Sequence, residues 1–246
     1  MSLLEVEGLK KSFDGVAAVA GVSFRLRAGE ILALIGPNGA GKSTCFNLLN
    51  GQLRPDAGRI LLDGADITGM SPRRIWRLGV GRSFQVASVF ASMTVRENVQ
   101  VALIAHAGKT WRFGRPADSY LQPEAEALLA LVGMAEQGAR AAGVLAYGDV
   151  KRLELAMALA NDPRLLLMDE PTAGMAPAER GALMALVRKI ARDRGMAVLF
   201  TEHDMATVFA HADRILVLDR GQLIAEGDAA SVRANARVQA VYLGEP

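Results

Sequence analysis

The chain has 246 residues, 51 % apolar and 22 % charged, which excludes a disordered or collagen-like polymer and allows a substantial buried core. Its 28 basic and 26 acidic residues leave a net charge of +2, short of the positive excess that marks nucleic-acid binding, and no nucleic-acid partner is expected. One cysteine, Cys45, can form neither an internal disulfide nor a thiolate cluster, which fits a reducing compartment. Glu5, Glu7, Lys10 and Lys11 interrupt the N-terminal stretch, so it lacks the apolar core of a secretory signal. No apolar run reaches the roughly 20 residues that span a bilayer, so a soluble protein is expected, with any membrane link made through a partner.

The opening third reads as short strands at residues 3–9, 22–26, 31–35 and 59–63, separated by turn pairs such as Asp14-Gly15 and Asp63-Gly64. Residues 31–35 are continuously apolar, as in a strand buried on both faces of a parallel sheet. A helix is expected from about Lys42 to Gly51. Thr94 and Glu97 form a capping box that opens a helix towards His106. Residues 109–120 have no clean period and read as a loop, in which Trp111 and Phe113 lie among Lys109, Arg112 and Arg115. Pro123 starts the next helix, with Ala125, Leu128, Leu129 and Val132 in one stripe, and a further helix is expected over 149–160. The last third alternates strands at 165–168, 196–201 and 215–219 with a helix at 177–194. Leu183, Leu186, Val187 and Ile190 mark one face of that helix, and a hairpin turn is expected at 219–222. This alternation predicts an α/β core with helices on both sides.

Gly36, Pro37, Asn38, Gly39, Ala40, Gly41, Lys42 and Ser43 fit the phosphate-loop pattern G-x-x-x-x-G-K-[ST], directly after the buried strand and before a helix. In that setting backbone N–H groups turn inward around phosphate oxygens, and the helix N-terminus adds partial positive charge. Lys42 is placed to reach the β- and γ-phosphates, Ser43 to ligate Mg2+ and Thr44 to donate to the α-phosphate. The apolar run at 165–168 ends in Asp169 and Glu170. The first carboxylate belongs beside the metal, and the second can polarise an attacking water as general base. Together these residues predict an NTP hydrolase.

Further residues resemble the nucleotide-binding subunits of ABC transporters, over nearly the whole chain from Leu3 to Tyr242, Leu243 and Gly244. Phe13, 23 residues before Gly36, stands where that family stacks an aromatic ring on adenine. Ser83, Phe84 and Gln85 resemble its glutamine loop, whose side chain senses magnesium and the reacting water. Leu145, Ala146, Tyr147, Gly148 and Asp149 resemble its signature segment. Residues 171–177 resemble the loop after the catalytic glutamate, and His203, between Glu202 and Asp204, resembles the switch histidine that contacts the γ-phosphate. Alone, Phe13 would fit a core, Gln85 a solvated loop and His203 a strand end; the ordered set carries the resemblance.

The resemblance implies a P-loop NTPase (RecA-like) core at about 1–88 and 161–227, with an N-terminal antiparallel β subdomain, an inserted helical subdomain at about 89–160 and a tail at 228–246. It implies ATP and Mg2+ as ligands, Glu170, His203 and Gln85 as catalytic groups, and Ser43, Gln85 and Asp169 at the metal. It also implies that residues 145–148 close the ATP site of a second ABC subunit in a homo- or heterodimer. Permease subunits would hold the protein at the cytoplasmic face of the inner membrane, with a solute-binding protein as an indirect partner. Ala146 replaces the usual signature Ser, Asp149 the usual Gln, and Ala176 a residue that is often Asp or Asn. Asp149 is expected to cap its helix, turned away from phosphate, and basal turnover is expected to be slow and partner-dependent. The Tyr147-Gly148 pair, the helical section at 95–144 and the Tyr242-Leu243-Gly244 ending resemble the ATP-binding proteins of branched-chain and related hydrophobic amino-acid importers. A lipopolysaccharide exporter's ATPase, which carries a similar signature, and a soluble non-transport ABC ATPase are the alternatives at this stage.

Overall fold

A computed structural model describes residues 2–83, 89–108 and 120–243 of the chain. Gln85 and the segment around Trp111 and Phe113 lie outside the described residues. The chain opens with β1 (Ser2–Phe13) and β2 (Val16–Arg27), which pair antiparallel as a hairpin closed by Asp14 and Gly15. Both turn residues have positive φ (48° and 84°), the backbone a two-residue hairpin turn needs. After β3 (Ile31–Ile35), β4 (Ala57–Leu62) pairs with β1 and β5 (Ala65–Asp66) completes a four-stranded sheet in the order β2-β1-β4-β5.

The second sheet uses β3 with β6 (Val80–Ser83), β7 (Leu165–Asp169), β8 (Ala197–Thr201), β9 (Arg214–Asp219) and β10 (Gln222–Gly227), in the order β10-β9-β3-β8-β7-β6. Its pairs are parallel except β9–β10, where Asp219 and Gln222 close the expected hairpin. Nine α-helices are described: α1 (Lys42–Leu49), α2 (Pro72–Arg77), α3 (Val95–His106), α4 (Gln122–Leu131), α5 (Tyr147–Ala158), α6 (Pro177–Arg194), α7 (Met205–His211), α8 (Ala229–Ala234) and α9 (Ala236–Leu243).

Alternation along the parallel strands separates two cores. Leu32, Leu34, Leu167 and Leu199 face a core shared with Leu4 and Leu26 of the antiparallel sheet and Phe46 and Leu48 of α1. Ile31, Ile35, Leu166 and Phe200 face the other, shared with Val99 of α3, Leu129 of α4, Leu153 of α5 and Val187 of α6. The phosphate-loop helix is thereby fixed between two sheets. This is the expected α/β core with an added antiparallel sheet and a helical section.

Several local expectations change. Helix α5 starts at Tyr147 with Ala146 as its N-cap, so Asp149 is not the cap. Asp149 sits in the first turn, where a carboxylate is also favoured by the helix dipole, and accepts from Gln137 Nε2 at 3.2 Å. Helices α2, α7, α8 and α9 and strand β6 were not expected; each is short, and short elements show too few turns or alternations for a period to register. Leu186 is half-buried, and Met184 joins Leu183 on the buried face of α6. The Thr94 capping box is formed: Thr94 Oγ1 accepts from Glu97 N at 3.2 Å and Glu97 Oε2 accepts from Thr94 N at 2.7 Å. Among the described residues no helix is long and apolar enough to cross a membrane.

Candidate active site

Parallel pairing puts the C-terminal ends of β3, β7 and β8 on one edge of the sheet, the edge where α/β folds bind ligands. The phosphate loop leaves β3 at Gly36. A Cβ at Gly36 would lie 2.2 Å from Leu218 O, and one at Gly41 (φ 103°) 2.2 Å from Ala18 O. The loop passes too close to β9 and β2 for any side chain at these points. Ala40 O accepts from Gly221 N at 2.9 Å, and Gly221 O accepts from Ala20 N at 2.8 Å, so the β9–β10 turn ties the loop to β2. Burial pushes the Tyr242 phenol of α9 up to about 12, and the nearby Gly36 backbone works against that shift.

Lys42 is 7 % exposed and folds over the loop, its Nζ donating to Gly36 O at 2.6 Å and Pro37 O at 3.1 Å. Burial lowers its pKa, and the charges of Glu170 and Asp169 work against that shift. The lysine and both carboxylates therefore share one electrostatic site. Ser43 is exposed at the start of α1 and Thr44 is half-buried beside it; Pro37 is half-buried, Asn38 and Gly39 exposed.

Asp169 ends β7 nearly buried, its Oδ1 accepting from Thr201 Oγ1 at 2.7 Å and its Oδ2 lying 3.8 Å from Arg82 Nη2. Glu170 follows with φ 49°, a left-handed backbone that a non-glycine residue adopts at a cost of about 1–3 kcal/mol. Its N–H is held by Thr201, at 3.2 Å from the carbonyl and 3.0 Å from the hydroxyl. Glu170 Oε1 lies 2.7 Å from His203 Nε2, which joins the two expected catalytic side chains across the ends of β7 and β8.

No group of three or more His, Cys, Asp or Glu side chains able to hold a metal exists among the described residues. The buried Asp169 carboxylate and the exposed Ser43 hydroxyl are the two oxygen ligands that would be on offer. That suits Mg2+, which binds one or two protein ligands and fills its shell with phosphates and water.

Phe13 is 44 % exposed, with Lys11 Nζ 5.7 Å from its ring centroid. It pairs with Val16, two residues from the Ala18 carbonyl that lies against Gly41, so the hairpin tip flanks the phosphate loop. Residues 145–148 lie elsewhere: among the described residues no hydrogen bond or ion pair joins them to residues 36–44. Tyr147 and Gly148 instead lie against Ala173, Gly174 and Glu179.

Two site residues carried no expected role. Thr201 grips both Asp169 and the Glu170 N–H. Glu202, 4 % exposed, accepts from Thr172 N at 2.8 Å and Thr172 Oγ1 at 2.6 Å, and through its other oxygen from His203 N at 3.2 Å. It pins the loop after Glu170 to the segment bearing His203. The only signal in the sequence was their place beside His203, since both contacts cross some thirty residues of chain.

A cavity of about 1100 Å3 lies apart, against the edges of β2 and β9. Part of its lining is internally paired, with Arg214 Nε 2.7 Å from Glu30 Oε1, a second ion pair from Arg214 to Glu226, and Arg192 Nη2 2.6 Å from Asp213 Oδ1.

The chain matches the family described as ABC transporter over residues 19–173, and that described as branched-chain amino acid ATP-binding cassette transporter over residues 222–246. It is 40 % identical over 250 residues to the high-affinity branched-chain amino acid transport ATP-binding protein BraF of Pseudomonas aeruginosa, covering 99 % of this chain and 98 % of that protein. Identity to the corresponding protein LivG of Escherichia coli K12 is 40 % over 251 residues, with the same coverage. A crystal structure of the ADP conformation of MJ1267, an ATP-binding cassette of an ABC transporter, superposes with a TM-score of 0.89 at 31 % identity and full coverage of both chains. A nucleotide-free cassette from an ABC transporter gives 0.88, also at 31 % and full coverage. The chain belongs to the ABC transporter family, as one of its ATP-binding, ATP-hydrolysing cassettes.

Proposed function

We propose that this chain hydrolyses ATP to energise an importer of branched-chain or similar hydrophobic amino acids, held by permease subunits at the cytoplasmic face of the membrane. The observation that carries the reading is the convergence of the phosphate loop, Asp169, Glu170 and His203 on one sheet edge, with Glu170 and His203 in hydrogen-bond contact. The match over residues 222–246 and the names of the full-length relatives support the cargo.

In this reading the N–H groups of residues 36–44 take the phosphates of ATP, and Lys42 exchanges the carbonyls of Gly36 and Pro37 for phosphate oxygens. Phe13 offers its exposed ring to adenine. Ser43 and Asp169, with Gln85, would hold Mg2+, which would offset charge on the phosphates. Glu170 takes a proton from water as the water oxygen attacks the γ-phosphorus; the bond to the β-phosphate oxygen breaks, leaving ADP and phosphate. His203 orients Glu170 and meets the γ-phosphate. Residues 145–148, at the N-terminus of α5, close the ATP site of a second cassette with the positive end of the helix.

The apolar cavity of about 420 Å3 between α2, β6, α3 and α5, lined by Ile75, Trp76, Val80 and Met157, supplies a seat for a permease segment. Ser83, the last residue of β6, is part of its lining. The test is uptake of leucine, isoleucine and valine by proteoliposomes holding the chain with its co-purified membrane subunits. Uptake that requires internal ATP and is lost in Lys42→Ala supports the reading. ATP-independent uptake, or no uptake of any of the three alongside ATP-driven uptake of another solute class, contradicts it.

A further inference from the structure

The side chain of Tyr147 is 46 % exposed yet anchored at both ends. Its hydroxyl donates to Ala173 O at 3.0 Å, and the Ala173 N–H in turn donates to Glu170 O at 3.1 Å. Two hydrogen bonds thus lead from the first residue of α5 to the backbone of the residue proposed as general base. Gly174, at φ 79°, lies under the ring; a Cβ there would sit 3.4 Å from Cε1. On the ring's other contact, Lys151 Nζ is 5.6 Å from the centroid and is itself fixed by a buried ion pair to Glu154 at 2.9 Å. The next residue packs close to the start of α6. A Cβ on Gly148 would lie 3.2 Å from Glu179 Oε1, while Glu179 Oε2 accepts from Ala176 N at 3.3 Å. The start of α5 is therefore fastened to the turn after Glu170 at Ala173 and Gly174.

We propose that Tyr147 is a positioning residue that makes the start of α5 and the loop carrying Glu170 move together, and so couples two ATP sites. The proposal rests on the reading that residues 145–148 serve the partner's nucleotide while Glu170 serves the chain's own. Any rearrangement around Glu170 during hydrolysis then shifts the Ala173 carbonyl, and through Tyr147 the helix end presented across the interface. The sequence places Tyr147 among the groups facing the partner's nucleotide; its hydroxyl is committed to its own chain.

Tyr147→Phe removes the hydroxyl and keeps the ring on Gly174, so it tests the tie and not the packing. In the transporter purified with its membrane subunits, the expected result is a several-fold lower kcat with the Hill coefficient for ATP falling towards 1. ATP affinity of the isolated chain and its Tm should stay at wild-type values. An unchanged kcat and Hill coefficient overturn the proposal, and so does a fall in kcat that tracks a fall in Tm with the Hill coefficient intact, which is a merely structural role. The underlying reading fails separately: it falls if Glu170→Gln chains associate in ATP neither with each other nor with the co-purified cognate cassette, and it stands if they associate while Tyr147→Phe behaves as wild type.

Discussion

His203 Nε2 and Glu170 Oε1 lie 2.7 Å apart, a contact made by two residues 33 positions apart that lie just past the ends of adjacent parallel strands. A base held this way has one carboxylate oxygen oriented by the imidazole. Replacing Glu170 by Gln keeps the shape and removes the basicity. We expect kcat to fall by about 10²–10⁴-fold, the range of general-base contributions, with ATP affinity retained. His203→Ala removes one hydrogen bond to an ionised group, about 1.5–3 kcal/mol, or roughly 10–100-fold in kcat. Single-turnover hydrolysis beside equilibrium ATP binding checks both; ATP affinity falling in step with rate would show that these residues bind rather than react.

Thr201 is fully buried and serves both carboxylate-bearing residues through one hydroxyl. Thr201→Val keeps the volume and leaves Asp169 Oδ1 without that donor. The expected cost is about 1–3 kcal/mol, a fall of roughly 2–12 °C in Tm for a chain of this size, with slower hydrolysis. A variant with wild-type melting and turnover would remove Thr201 from the site.

The phosphate loop admits no side chain at Gly41, where a Cβ would meet Ala18 O at 2.2 Å in a left-handed backbone. Gly41→Ala should abolish ATP binding. Gly181→Ala is the control: it lies in α6 with nothing within 4 Å of its Cβ, so helix propensity should stabilise it by up to about 1 kcal/mol. Nucleotide titration should show binding lost in Gly41→Ala and retained in Gly181→Ala, and thermal melting should show the second variant at or above wild type.

Asp204 caps α7 beside His203. The Thr207 hydroxyl at 2.9 Å holds its pKa below the usual 3.8, Arg180 at 3.2 Å adds to this, and burial opposes it. A carboxyl depressed in the folded state gives stability that is fully present above pH 3.8 and is lost as pH falls through the lower folded value. Asp204→Asn should therefore be less stable than wild type at neutral pH, with the gap closing below pH 3.8. A gap that is constant across that window would mean that the charge contributes nothing.

The phosphate loop was legible because its geometry is written locally: an apolar strand, glycines where the chain grazes β2 and β9, and a helix beginning at Lys42. Asp169 and Glu170 were legible for the same reason, as the end of one buried strand. The grips of Thr201 on Asp169 and of Glu202 on Thr172 were not, because they exist only once β7 and β8 lie side by side. The four-residue β6 and the six-residue α2 carry too little period to announce themselves. The start of α5 was misplaced by two residues because Asp suits both a cap and a first turn, and nothing in the order Ala146, Tyr147, Gly148 distinguishes them.

The claim on which the account turns is that the nucleotide is enclosed by two chains, since residues 145–148 lie against the loop after Glu170 and not against the phosphate loop of their own chain. Light scattering of Glu170→Gln on a sizing column, with ATP and Mg2+ and then with ADP, tests it most directly. The account predicts a two-cassette species in ATP, twice the 26.1 kDa chain if it pairs with itself or the chain plus its cognate cassette if it pairs with a sister, and a single chain in ADP. A protein that binds ATP stoichiometrically and stays a single chain, with the cognate cassette present, would contradict it.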